Sequence, residues 1–150
     1  MPSVQPFIDR LPPVWRYAAV GGVVGAALTV AQNWQWWASS DFSADMVVVG
    51  GVVAGYLAKR SAADVNADRA GFLAGLVAGV PGYVWLFPAL LEAAASFAGG
   101  GVALAVTAAF FLPFSVAVLA ITATAGLLGS MVGGWLAGKL GARRDVAAGN

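Results

Sequence analysis

Long apolar runs alternate with short polar connections along this chain, and the run lengths predict its elements. The first run goes from Val14 to Ala31 and ends in the amide and aromatic cluster Gln32–Trp37. A polar link, Ala38–Asp45, leads into Met46–Ala58 and the basic pair Lys59-Arg60. The polar loop Ser61–Arg69 precedes a third run, Ala70–Leu91, which contains Pro81 and Pro88 and stops at Glu92. Residues 93–138 then carry no charge at all. An apolar helix of about 20 residues crosses the roughly 30 Å hydrocarbon core of a bilayer. The pattern therefore predicts an all-α integral membrane protein, a bundle of four transmembrane helices at about 14–36, 43–59, 70–91 and 113–138. Residues 1–13 form a proline-rich arm and 139–150 a polar tail.

Two of these spans strain the length argument. Met46–Ala58 covers only about 20 Å, so it crosses if Phe42–Ala44 joins the helix and Lys59 snorkels to the interface. As one helix, 93–138 would run about 69 Å, more than twice the core. Pro113 is the natural breakpoint there, which leaves Val102–Leu112 as an extra outer helical segment before the fourth span, with an interfacial piece, a re-entrant piece and part of one long kinked fourth helix all open. Asp68 is a candidate N-cap for the third helix. A cleaved signal peptide does not fit the first run, whose leading residues are acidic and broken by prolines.

Composition narrows the chemistry. The chain has 150 residues, 60% hydrophobic and 10% charged, against about a quarter charged in soluble domains. Four spans leave no room for a second domain. There is no cysteine and no histidine, which removes disulfides, thiolate chemistry, the commonest general base and the commonest metal ligand.

Charge placement fixes the topology. Arg10 and Arg16 precede the first span, Lys59, Arg60 and Arg69 flank the loop between the second and third, and Lys139, Arg143 and Arg144 follow the last. The connections after the first and third spans hold Asp41, Asp45 and Glu92 and no basic residue. Lys and Arg in short loops mark the cytoplasmic side. Both termini are thus expected inside, with an even number of spans. Trp34, Trp36, Trp37 and Trp85 then fall near the outer interface, and Trp15, Tyr17, Tyr56 and Trp135 near the inner one, as two aromatic belts.

Every span carries small residues four apart. Gly21/Gly25 and Gly22/Ala26 lie in the first; Gly51/Gly55 and Gly50/Ala54/Ala58 in the second. Gly71/Gly75/Gly79 lie in the third, with Gly129/Gly133/Ala137 and Ser130/Gly134/Gly138 in the fourth. Lipid offers no hydrophobic force between helices, so small residues that let backbones approach are expected to supply the packing, within one chain or between chains. Gly50–Arg60 and Gly133–Arg143 also agree at six of eleven positions. That suggests a parallel repeat of two spans plus two, with convergence on a shared packing pattern as the rival account.

No motif assigns a reaction. The central stretches of the spans have no ionisable group, where transporters and pumps place theirs. Asp45 and Glu92 are candidates for an outer acidic mouth, although ordinary interfacial acids explain them more simply. Asp64 and Asp68 fit a solvated loop with a helix cap better than a metal site. Thr107, Ser115, Thr122, Thr124 and Ser130 can bond back to their own helix. The glycines lack the Lys-Ser/Thr pair of a phosphate-binding loop. The expectation is no catalytic residue, metal, cofactor or nucleic acid, with the lipid bilayer and a homo-oligomer or larger membrane complex as partners.

Gly50–Leu57, the loop ending in Arg69, the run Ala70–Gly82 and the closing Gly133–Gly138 resemble the small Gly/Ala-rich four-span membrane proteins of unknown function found in halophilic archaea. The Pro-rich arm and Trp34–Trp37 lie outside that pattern. The resemblance implies a plasma-membrane location and no known activity. Two functions stay open at this point: a structural or accessory component that packs through its glycine faces, and a small channel or transporter.

Overall fold

A computed structural model describes residues 11–34, 43–61, 65–97 and 102–148. Every element among them is a helix: α1 Pro13–Gln32, α2 Met46–Arg60, α3 Ala67–Ala78, α4 Val80–Phe97 and α5 Val102–Ala148.

The helix ends have local causes. Pro13 opens α1 at the position where a missing N–H costs nothing. Asn33 closes it, its backbone N–H reaching Thr29 O at 3.1 Å. Ser61 ends α2, its N–H and hydroxyl both donating to Ala58 O, at 3.3 and 2.9 Å. The N-cap of α3 is Asn66, whose Oδ1 accepts from the Arg69 N–H at 2.9 Å. Asp68 lies in the first turn instead of at the cap, where its charge suits the positive end of the helix dipole. The one-residue interruption at Gly79 is where Pro81 withholds the N–H that Val77 O would have accepted.

Neighbouring glycines set the directions. Gly21 lies against Gly50 and Ala54, and Gly25 against Met46 and Gly50, so α1 and α2 are antiparallel. Gly22 meets Ala74 and Val77, and Gly25 meets Ala78, so α1 and α3 are parallel. On α5, Gly126 and Ser130 face Gly51 and Gly55 in parallel, and Thr122 to Ser130 face Gly79 to Gly71 in antiparallel. With α3 and α4 taken as one broken helix, the order is up-down-up-down. Beyond Gly79, α4 packs mainly on α5.

The interior is built from small groups. Its buried apolar residues are Val47 and eight alanines, among them Ala54, Ala58, Ala70 and Ala74. The bulk points outward, with Val23 62%, Ile121 69% and Phe110 70% exposed. A water-soluble bundle buries its large residues; this inverted arrangement suits a hydrocarbon solvent. Among the described residues three helices are long and apolar enough to cross a membrane: Pro13–Gln32, Ala67–Ala93 and Ala109–Gly141. The protein is a membrane protein whose described elements are all helical.

Several expected boundaries move. α1 stops at Gln32, short of the 36 expected, and residues 35 and 36 lie outside the described part. α2 begins at Met46 and not at 43, because Ser43–Asp45 turn into it; Phe42 lies outside the described residues. Its 15 residues reach about 22 Å. The helix of the third span begins at Ala67 and, after Gly79, continues as α4 to Phe97. Pro113 does not break α5. Val102–Leu112 and the expected fourth span form one helix of 47 residues that also takes in most of the tail. Neighbouring helices make an internal proline tolerable in such segments, and here α4 packs alongside at Phe111.

Candidate functional site

The tightest region is a seam where α2 and α3 meet α5 at glycine. A methyl group added at Gly126 would stand 2.6 Å from Gly75 Cα and 2.7 Å from its nitrogen. One at Gly51 would lie 2.8 Å from Gly126 Cα, and one at Gly71 2.7 Å from Gly126 O. Real Cβ contacts do not come this close, so any side chain at these positions has to part the helices. Gly55 lies against the Ser130 backbone, Gly79 against the Thr122 side chain, Gly129 against Val48 and Val52, and Gly133 against Val52 and Tyr56.

The polar groups buried along the seam are turned back onto the backbone. The Thr29 hydroxyl donates to Gly25 O at 2.9 Å, Thr122 to Leu119 O at 3.2 Å and Ser130 to Leu127 O at 2.7 Å. No buried side-chain polar atom among the described residues lacks a partner.

At one end of the bundle lie the start of α1 with Arg16, the end of α2 with Lys59 and Arg60, and the start of α3 with Arg69. The part of α5 that carries Lys139 completes this end. Arg143 and Arg144 follow on its last turns. Two aromatic rings carry cations here. Arg60 sits 5.5 Å from the centre of the Tyr56 ring and donates to its hydroxyl at 2.8 Å. Lys139 lies 4.4 Å from the Trp135 ring. Both pairs are one helical turn apart, which is where such side chains meet.

The far end is held by Asn33. Its Nδ2 donates to Thr29 O at 2.7 Å and to Ser43 O at 2.8 Å, while its Oδ1 accepts from the Ser43 N–H at 3.0 Å. One buried amide thus ties the exit of α1 to the entry of α2. Ser43 in turn donates to Asp45 Oδ2 at 2.7 Å. Asp45 is exposed at the entry of α2 and Glu92 on α4. No cluster of three metal-ligating side chains occurs among the described residues.

Of the glycines singled out in the sequence, Gly51, Gly55, Gly71, Gly75, Gly79, Gly129 and Gly133 are at helix contacts within the chain. Gly134 and Gly138 have nothing within 4 Å. The repeat therefore does not carry over into equal packing. Gly51 is pressed on Gly126, whereas its sequence match Gly134 faces open space. Gly126 itself escaped the sequence reading, although Thr122, Gly126 and Ser130 are spaced by four like the stripes that were noticed. Asn33 escaped as well, because an amide beside three tryptophans reads as an interfacial residue. The third missed contact is Tyr83 OH to Ser115 Oγ at 2.7 Å, which joins α4 to α5. Edge-on contacts of Phe111 with Tyr83 and Phe87 reinforce it, at 5.8 and 5.5 Å between ring centres. Arg10, Asp64, Trp36 and Trp37 lie outside the described residues.

This seam and the Asn33 clamp fall inside the stretch 15–136, which matches the description Family of unknown function (DUF5518). The chain belongs to this family. The DUF5518 match takes in α1 to α4 and most of α5, so the bundle as a whole, and not one helix, is the family's unit. That agrees with a resemblance to proteins without an assigned activity. No curated protein and no solved structure matches the chain.

Proposed function

We propose that this protein is a non-enzymatic, structural or accessory component of the plasma membrane, which crosses it four times with both termini in the cytoplasm and packs with itself or with a larger membrane complex. The observation that carries this reading is the closed seam. Between α2, α3 and α5, and again between α1, α2 and α3, glycine backbones and alanine methyls fill the space that a conduit would need. The buried hydroxyls are already bonded to their own helices. This supports a packing unit over a channel or transporter within one chain.

The fourth crossing falls to α2, which runs between α1 and α5 through the same slab as its neighbours. Lys59 and Arg60, exposed at its end, can snorkel to make up for a length of about 22 Å. Grouping of the basic residues at one end supports a cytoplasmic placement of that end. The resemblance to plasma-membrane proteins of halophilic archaea supports the location. Assembly is supported by the open side of α5, where Gly134, Gly138 and Gly141 have no neighbour within 4 Å.

Native mass analysis of gently solubilised protein tests the reading, with Gly134→Leu as the variant. Wild type is expected as an assembly larger than one chain, and the variant as a helical monomer. A wild-type monomer with no partner would overturn the packing role. Solute flux through reconstituted vesicles that Glu92→Gln abolishes would replace it with the channel.

A further inference from the structure

We infer that the bundle holds a binding site for one alkyl chain of a bilayer lipid, in a half-open cavity of about 130 Å³ just beyond the glycine seam. Thr29 of α1, Val47 of α2, Gly82 and Leu86 of α4, and Val118 and Thr122 of α5 wall it. It exists because the packing changes at Gly79. On one side the glycines close the helices onto each other. On the other, α4 packs its rings on α5, touches α1 only slightly and stands off from α2.

The chemistry of the walls selects the occupant. They present only carbon. The two hydroxyl-bearing residues are spent, Thr29 on Gly25 O at 2.9 Å and Thr122 on Leu119 O at 3.2 Å. A buried water needs two to four polar partners, and none is offered. An engineered apolar cavity of about 150 Å³ stays dry and takes benzene or xenon, so this volume suits a segment of hydrocarbon. Ala44 and Ile121, both exposed, lie at its rim. In a bilayer the medium facing that rim is lipid tails. An empty cavity forfeits dispersion contacts along every wall, and an alkyl chain restores them. The site rests on the chain lying in a bilayer and on no particular function.

The test uses the full chain in phosphatidylcholine vesicles doped with phosphatidylcholine that carries a photoactivatable diazirine at several chain depths. Adducts are mapped by mass spectrometry after illumination. Wild type should carry adducts at Gly82, Leu86 or Val118, besides those on the outward residues Val23 and Leu128. Val118→Phe, and independently Leu86→Phe from the opposite wall, should abolish the cavity adducts and keep the outward ones. Wild-type adducts confined to outward residues, or cavity adducts that survive both fillings, would overturn the site and leave the membrane reading intact. Absence of adducts even at Val23 and Leu128 would overturn both.

Discussion

The two halves of this bundle solve the same problem by opposite means. Toward the basic end, α1, α2, α3 and α5 touch backbone to backbone through Gly21, Gly50, Gly51, Gly71, Gly75 and Gly126. Toward the far end, α4 and α5 stand apart and are joined by rings and by the hydroxyl pair Tyr83–Ser115. The first half presses helix backbones onto one another; the second leaves an apolar cavity of about 130 Å³ between its helices. In lipid, where apolar burial gives helices little reason to associate, close approach and interhelical hydrogen bonds are the remaining sources of packing energy. One half draws on the first and the other on the second, and the change comes at Gly79, where Pro81 interrupts the helix.

The contrast is broken most directly at Gly126. Gly126→Leu puts a branched side chain against the Gly71 and Gly75 backbones, neither of which can rotate away. It should destabilise by about 3 kcal/mol or more, the upper end of overpacking costs, as measured by unfolding in mixed micelles. Asn33→Ala removes the clamp between α1 and α2 and leaves the Ser43 N–H without its acceptor. The same assay should show a loss of about 2 kcal/mol. Tyr83→Phe keeps the ring against Phe111 and deletes only the bond to Ser115, for about 0.6 kcal/mol, the average for such bonds between membrane helices. Smallest of all is Gly134→Ala, which meets open space and should change monomer stability by less than about 0.5 kcal/mol. Its neighbour Gly133→Ala would press on Val52 O and the Tyr56 nitrogen and should be clearly destabilising. Equal effects from these two adjacent glycines would contradict the placement of α5.

The helical class and three of the crossing segments were legible in run length and hydropathy, because a bilayer imposes both. Eleven of the thirteen glycines picked out by four-residue spacing are at helix contacts within the chain. Gly134 and Gly138 share that spacing and are not, since periodicity names a face without saying what lies opposite. Gly126 was passed over because its stripe begins with a threonine and ends with a serine, and such hydroxyls read as polar although they bond back into their own helix. Pro113 was the natural breakpoint in the sequence, with one long helix through it left open, and α5 does run through it; proline removes one hydrogen bond, and a packed neighbour can hold the turns on either side. The Asn33–Ser43 clamp was invisible for another reason. It joins residues ten apart across a connection, a distance that no helical or strand period marks.

The central claim is that α2 crosses the membrane despite its 15 residues, giving four spans and both ends on one side. Single cysteines settle this cleanly, because the native chain has none. In sealed, right-side-out vesicles, an impermeant maleimide should label Ala44→Cys and Ser96→Cys from outside. Asp68→Cys and Gly141→Cys should react only after the vesicles are opened. Labelling of Ala44→Cys and Asp68→Cys from the same side would show that α2 does not cross.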